Sequence, residues 1–140
     1  MTIETRKQAL IEELSEIEDS QDRLIYLLEL GQEHPDLAEQ FKVDIFKVEG
    51  CQAQLWLYPS FEADLCKFRV DSDSKIVKGI AALLAEFYSD LPPEEILKVD
   101  PEFLADLGIT QHLSFNRRNA LSRIYTRIKS YAEHCMAGGI

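Results

Sequence analysis

The chain has 140 residues, 46% of them hydrophobic, enough for one domain over residues 1–140 with a core that needs neither disulfides nor metal. Its 25 acidic and 15 basic residues leave a formal charge of −10, which argues against nucleic acid or an anionic membrane surface as partner, because both would repel it. The longest run free of Asp, Glu, Lys and Arg, Gly50 to Phe61, is too short and too polar to span a bilayer, and the acidic start has no apolar run of the secretory kind. A cytoplasmic protein is expected.

Leu10, Ile11, Leu14 and Ile17 fall on one helical stripe, with Glu12, Glu13, Glu16 and Glu18 mostly off it. Asp19-Ser20 reads as a break and a fresh cap for a second helix carrying Leu24, Ile25, Leu27, Leu28 and Leu30. Gly31 stands where a left-handed residue would end that helix, and Pro35 follows. The middle of the chain changes period. Ile45–Glu49, Gln52–Tyr58 and Leu65–Val70 are short runs rich in β-branched and aromatic residues, separated by Gly50 and by the Pro59–Asp64 stretch, and predict a three-stranded antiparallel meander. Cys66, Phe68 and Val70 share a parity opposite to Lys67 and Arg69, which gives the sheet one apolar face there.

Helices resume after Asp71-Ser72-Asp73-Ser74, any of which can cap an N-terminus. Ile76, Ile80, Leu83, Leu84 and Phe87 form the next stripe, and Gly79, Ala81, Ala82 and Ala85 allow close packing. Pro92-Pro93 and Asp100-Pro101 each read as a helix start, and Gly108 as the end of the second of these. Ser114 or Asn116 opens a last helix with the stripe Leu121, Ile124, Tyr125, Ile128, Tyr131 and Cys135. Helices, three strands and helices again predict an α+β fold, the sheet packed against flanking helices.

Three cysteines, Cys51, Cys66 and Cys135, make neither a disulfide framework nor a C-x-x-C metal pattern, and reduced thiols are expected. No phosphate-cradling glycine loop, G-x-S-x-G or H-E-x-x-H occurs. Cys51 follows Gly50 at the turn between two predicted strands, where a thiol is both anchored and presentable, as nucleophilic chemistry requires; a small buried hydrophobe is the competing reading. Cys66 reads as a core residue and Cys135 as a packing or bystander thiol, while His112 has no local group to orient it as a base. No carboxylate lies between Asp106 and Glu133, where Arg117, Arg118, Arg123, Arg127 and Lys129 cluster; this is either a partner or anion contact or a solvated helix face.

Val48-Glu49-Gly50-Cys51-Gln52-Ala53-Gln54-Leu55-Trp56 resembles the V-x-G-C-Q-S-Q-V-W signature of the SufE family, sulfur acceptors of cysteine desulfurases. Asp71-Ser72-Asp73-Ser74-Lys75-Ile76-Val77-Lys78-Gly79 is similar to its D-S-D-A-x-I-V-K-G segment, and Thr110-Gln111-His112-Leu113-Ser114 with Arg117 and Asn119 to its H-L-S-P-S-R-S-N-G segment. Ala53 stands where the family usually has serine, and Phe115 where it has proline. The resemblance implies a SufE/IscU-like α+β fold and a sulfur relay. Cys51 would take persulfide sulfur from a pyridoxal-phosphate-dependent cysteine desulfurase, stimulate that enzyme, and pass the sulfur to an iron–sulfur scaffold, with no cofactor of its own. Gly50 and Gln52 would support the loop, and Asp71, Asp73 and Arg117 are candidates for contact with the desulfurase. The rival readings are a regulatory module with an idle thiol, an autonomous thiol enzyme, and a zinc or iron–sulfur scaffold built on the three cysteines.

Overall fold

A computed structural model describes residues 2–107 and 113–138, so His112 and most of the Thr110–Leu113 segment lie outside the described residues. Helices α1 (Ile3–Ser15) and α2 (Ser20–Glu33) lead through two short 3-10 turns, Glu39–Phe41 and Asp44–Phe46, to strands β1 (Leu55–Glu62) and β2 (Leu65–Ser72). Then follow α3 (Lys75–Tyr88), the one-turn helices α4 (Pro93–Ile96) and α5 (Phe103–Asp106), and the long α6 (Phe115–Met136). The helix starts follow cap chemistry. Asp19 accepts from the Gln21 N–H at 2.7 Å, Ser74 from Val77 at 3.3 Å and Ser114 from Arg117 at 3.3 Å, each satisfying an orphan donor of a first turn.

The sheet has two antiparallel strands, not three. β1 and β2 pair from Leu55 opposite Ser72 to Glu62 opposite Leu65, and the hairpin turns through Ala63 and Asp64, both at positive φ. The expected first strand shrinks to a single rung, where Lys47 faces Trp56 and the Val48 N–H donates to the Leu55 carbonyl at 2.8 Å. The reason is competition for its backbone. Residues 44–46 coil into a 3-10 turn, and Arg127 of α6 takes the carbonyls of Lys47 (2.8 Å) and Ile45 (3.2 Å) that a strand would need for its ladder. Phe46 instead packs against Tyr58 and Phe41, with ring centroids 5.0 and 6.3 Å away.

Pro59 lies inside β1 rather than ending it. Its partner Phe68 sends its own N–H to Ser89 Oγ at 2.9 Å, so the pair occupies a non-hydrogen-bonded position and the missing proline N–H removes no ladder bond. The inner face carries Leu55, Leu57, Cys66, Phe68 and Val70, all buried, while Lys67 and Arg69 face solvent. This face packs on α3, which is buried almost all round, while α6 packs on α3, α4 and β1 and buries Ala120, Leu121, Ile124, Ile128 and Ala132. Buried side chains from Ile3 to Ala132 form one contiguous core.

Gly31 does not end α2, which runs on to Glu33. It serves instead as a crossing point. A Cβ on Gly79 would lie 2.1 Å from the Leu27 carbonyl oxygen, and one on Gly31 would lie 2.8 Å from the Gly79 nitrogen, so α2 and α3 meet backbone to backbone. His34 joins the same region. Its Nε2 accepts the Val70 N–H at 3.2 Å, which leaves the proton on Nδ1 to donate to Glu86 at 3.0 Å. Among the described residues no helix is long and apolar enough to cross a membrane.

Candidate functional site

Cys51 sits in the loop between the Lys47–Trp56 rung and the start of β1 proper. Gly50 turns the chain at φ +85°, a conformation that favours glycine. Both ends of the loop are tied to other elements. On the β2–α3 side, Asp73 accepts the Gln54 N–H at 2.9 Å while Ser72 Oγ and the Asp73 N–H donate to the Gln54 carbonyl at 2.6 and 3.2 Å. On the α6 side, Asn119 donates to the Gly50 carbonyl at 2.7 Å and Asn116 to Gln52 Oε1 at 2.8 Å. The Arg123 guanidinium lies against Gly50, close enough that a Cβ there would be 2.9 Å from its Cζ.

Asn116, Asn119, Arg123 and Arg127 follow at steps of three, four and four, so a single face of α6 addresses residues 45–52. This resolves part of the basic cluster. Arg123 and Arg127 turn to the loop, whereas Arg118 and Lys129 line a separate surface groove with Leu121 and Tyr125. The spacing of the four polar residues was visible in the sequence; what it addressed was not, because the groups they bond, backbone carbonyls apart from the Gln52 side chain, lie 64 to 82 positions away.

The Cys51 side chain is half-buried and packs against the core. Burial pushes its thiol pKa up, and the positive charge of Arg123 pulls in the other direction without prevailing. The thiol borders a cavity of about 260 Å³, lined also by Ala53, Ser74, Val77, Arg117 and Ala120. The structure thus brings Cys51, Gln52 and Arg117 to one cavity, with Gly50 beside Cys51 and Asp73 bound to the far end of the loop at Gln54.

Asp71 stands apart from it. Its carboxylate is buried, accepting N–H groups of Leu37 and Ser72 at 2.9 Å and facing Lys42 at 3.3 Å and Lys78 at 3.7 Å. Burial alone would raise its pKa; the two N–H bonds and the two lysines outweigh burial and hold it below the usual carboxylate value. Its contacts join the 37–42 segment, β2 and α3.

The three cysteines do not converge. Cys51 rests against the first half of α6, while Cys135 lies in its last turn, about 24 Å further along the axis than Asn119 at 1.5 Å per residue. Cys66 lies on the side of Cys135: Phe68, two residues along the same strand face, meets the ring of Tyr131, one helical turn before Cys135, with centroids 6.0 Å apart. One metal ion cannot be shared by all three. Among the described residues, no group of three or more His, Cys, Asp or Glu is placed to hold a metal.

The family model for SufE, described as an Fe–S metabolism associated domain, matches residues 8–132. An uncharacterised SufE-like protein of Rhizobium etli is 34% identical over 129 residues, spanning 89% of this chain and 87% of its own length. One from Rhizobium meliloti is 32% identical over 134 residues, spanning 92% of this chain and 96% of its own. The solution structure of a hypothetical protein from Thermus thermophilus shares the fold, with a TM-score of 0.78 at 23% identity over 98% of this chain and 99% of that one. With the match running from the first helix almost to the end of the last, the chain belongs to the SufE family.

Proposed function

We propose that Cys51 accepts sulfur as a persulfide from a pyridoxal-phosphate-dependent cysteine desulfurase, and that the chain thereby stimulates that enzyme and carries sulfur toward iron–sulfur cluster assembly. The observation that carries this reading is a thiol on a loop with tied ends, half-buried at rest and bordering a cavity beside α6. The step needs no redox partner. Cys51 Sγ, as thiolate, attacks the outer sulfur of the desulfurase persulfide; the bond between that sulfur and the desulfurase cysteine breaks, and the departing thiolate takes up the proton that Cys51 lost. Exchange proceeds through the thiolate, and Arg123 is the cation nearest in effect to the charge that forms.

A persulfide is easily reduced or oxidised, so shelter between encounters protects the cargo. The raised thiol pKa fits a resting state in which Cys51 is protonated and partly covered. Docking that draws the loop outward would remove the burial and so increase the thiolate fraction when the donor sulfur is in reach. Few bonds stand in the way: on the α6 side, two amide hydrogen bonds and one guanidinium hold residues 50–52.

The test is incubation with L-cysteine and a partner desulfurase, followed by site-resolved mass spectrometry. The expected result is an added sulfur on Cys51, absent from Cys51→Ser, with stimulation of the desulfurase lost in that variant. Stimulation that persists in Cys51→Ser would instead favour a regulatory module whose thiol is idle. An autonomous thiol enzyme would turn over without the desulfurase.

A further inference from the structure

Two thiols outside the Cys51 site lie together where β2 meets the end of α6. Cys66 is fully buried on the inner face of β2, and Cys135 is half-buried in the last turn of α6. Both pack against the same core, and Cys135 lies one helical turn beyond Tyr131 on the same face of α6. A ring contact fixes the juxtaposition. Phe68, two residues beyond Cys66 on the same face, meets the Tyr131 ring edge-on with centroids 6.0 Å apart. Side chains at 66 and 68 of the strand therefore face side chains at 135 and 131 of the helix, and the thiols form the outer rung.

We propose that Cys66 and Cys135 are an oxidation site, at which a hydroperoxide is consumed and an intrachain disulfide ties the end of α6 to β2. Cys135, the more accessible thiol, reacts first: its sulfur attacks the peroxide, becomes a sulfenic acid, and one water leaves. Cys66 Sγ then attacks the sulfenic sulfur, the S–S bond forms, and the hydroxyl departs with the Cys66 proton as a second water. Two thiols and one hydrogen peroxide thus give one disulfide and two waters.

The division of labour follows from burial. Desolvation, with Cys135 as neighbour, pushes the Cys66 thiol far up, so Cys66 is a poor first nucleophile and serves as the resolving partner of an already oxidised neighbour. Cys135 is only half-buried, so its side chain has room to turn toward Cys66. The bridge would close a loop of about 70 residues, long enough for the cross-link to restrict the unfolded chain strongly. It would also anchor one end of the helix whose other end holds the Cys51 loop.

The test uses the full chain in a Cys51→Ser background, which removes the competing thiol. After treatment with a small excess of hydrogen peroxide, tryptic mapping without reductant should join the peptide of residues 48–67 to that of residues 130–140. The melting temperature should rise by about 5–15 °C and return on adding dithiothreitol. Cys135→Ser in the same background should show neither the joined peptide nor the shift; as a half-buried position it is chosen over Cys66, whose replacement threatens the core. Recovery of Cys135 as sulfinic acid beside a free Cys66 thiol, or of both thiols unoxidised, would overturn the proposal.

Discussion

Asn119 donates from Nδ2 to the carbonyl oxygen of Gly50 at 2.7 Å, a bond from the second turn of α6 to the residue immediately before Cys51. It addresses the backbone rather than a side chain, as do the bonds from Arg127 to the carbonyls of Ile45 and Lys47. Apart from Gln52, whose Oε1 accepts from Asn116, the loop is therefore held by the path of its chain, and these bonds leave the Cys51 thiol out. A hold of this kind is also easy to release, because each bond contributes only about 1 kcal/mol net.

Replacing Asn119 by alanine is expected to loosen the loop while leaving the fold intact, since the side chain sits on the partly exposed face of α6. Losing about 1 kcal/mol of closure corresponds to a roughly fivefold rise in the open fraction. The rate of Cys51 alkylation by iodoacetamide should increase by about that factor at constant pH. An unchanged rate would mean that Asn119 does not hold the loop shut.

The pH dependence of the same alkylation reports on Arg123. Because burial raises the Cys51 pKa, the thiolate fraction stays low at neutral pH, and the rate should climb through an inflection above the ordinary thiol value. Arg123 opposes that rise, so Arg123→Gln should move the inflection to higher pH and slow alkylation at neutral pH. A shift to lower pH in the variant would show that Arg123 acts mainly by covering the thiol.

The contrast between Gly50 and Ile45 shows what the sequence could disclose. Caps at Asp19, Ser74 and Ser114, the alternation of Cys66, Phe68 and Val70, and a turn at Gly50 are local matters, settled by residues a few positions apart, and each falls among the positions the pattern offered. Ile45 to Glu49 has strand composition, yet Arg127 takes two of its carbonyls from about 80 residues away and only a single rung forms. Gly31 has the look of a helix stop, and only its neighbour Gly79 reveals it as a crossing point. At the site, Cys51 after Gly50 was legible as a thiol at a turn, and its expected role came from the likeness to the SufE signature; the two asparagines and two arginines that hold the loop were not legible, because contacts made mostly to backbone leave no complementary side chain to recognise.

Asp71 gives a stability prediction with a defined pH window. Its carboxylate is 5% exposed and satisfied by two backbone N–H groups and two lysines, so Asp71→Asn should destabilise the fold by about 3 kcal/mol at neutral pH. The folded-state pKa lies below the unfolded one, so this contribution is complete above the unfolded carboxylate value of about 4 and is lost as pH falls through the depressed folded value. Urea titrations of both proteins should accordingly converge in strong acid. A difference that stays constant with pH would assign the loss to packing.

Gly50→Ala separates two constraints at the site. The first is conformational: φ is +85°, where an L residue costs about 1 kcal/mol more than glycine. The second is steric, a Cβ at 2.9 Å from Arg123 Cζ, and it falls on the far end of a flexible side chain that can swing aside. The variant should therefore fold, lose about 1 kcal/mol, and displace the guanidinium from Cys51. Displacement removes the charge that lowers the thiol pKa, so the alkylation inflection of Gly50→Ala should move up as it does in Arg123→Gln. In an Arg123→Ala background the steric part is already gone, so adding Gly50→Ala should still cost the backbone term yet leave the inflection where it was. If the two substitutions instead shift the inflection additively, Gly50 influences the thiol through the shape of the loop and not through the guanidinium packed against it.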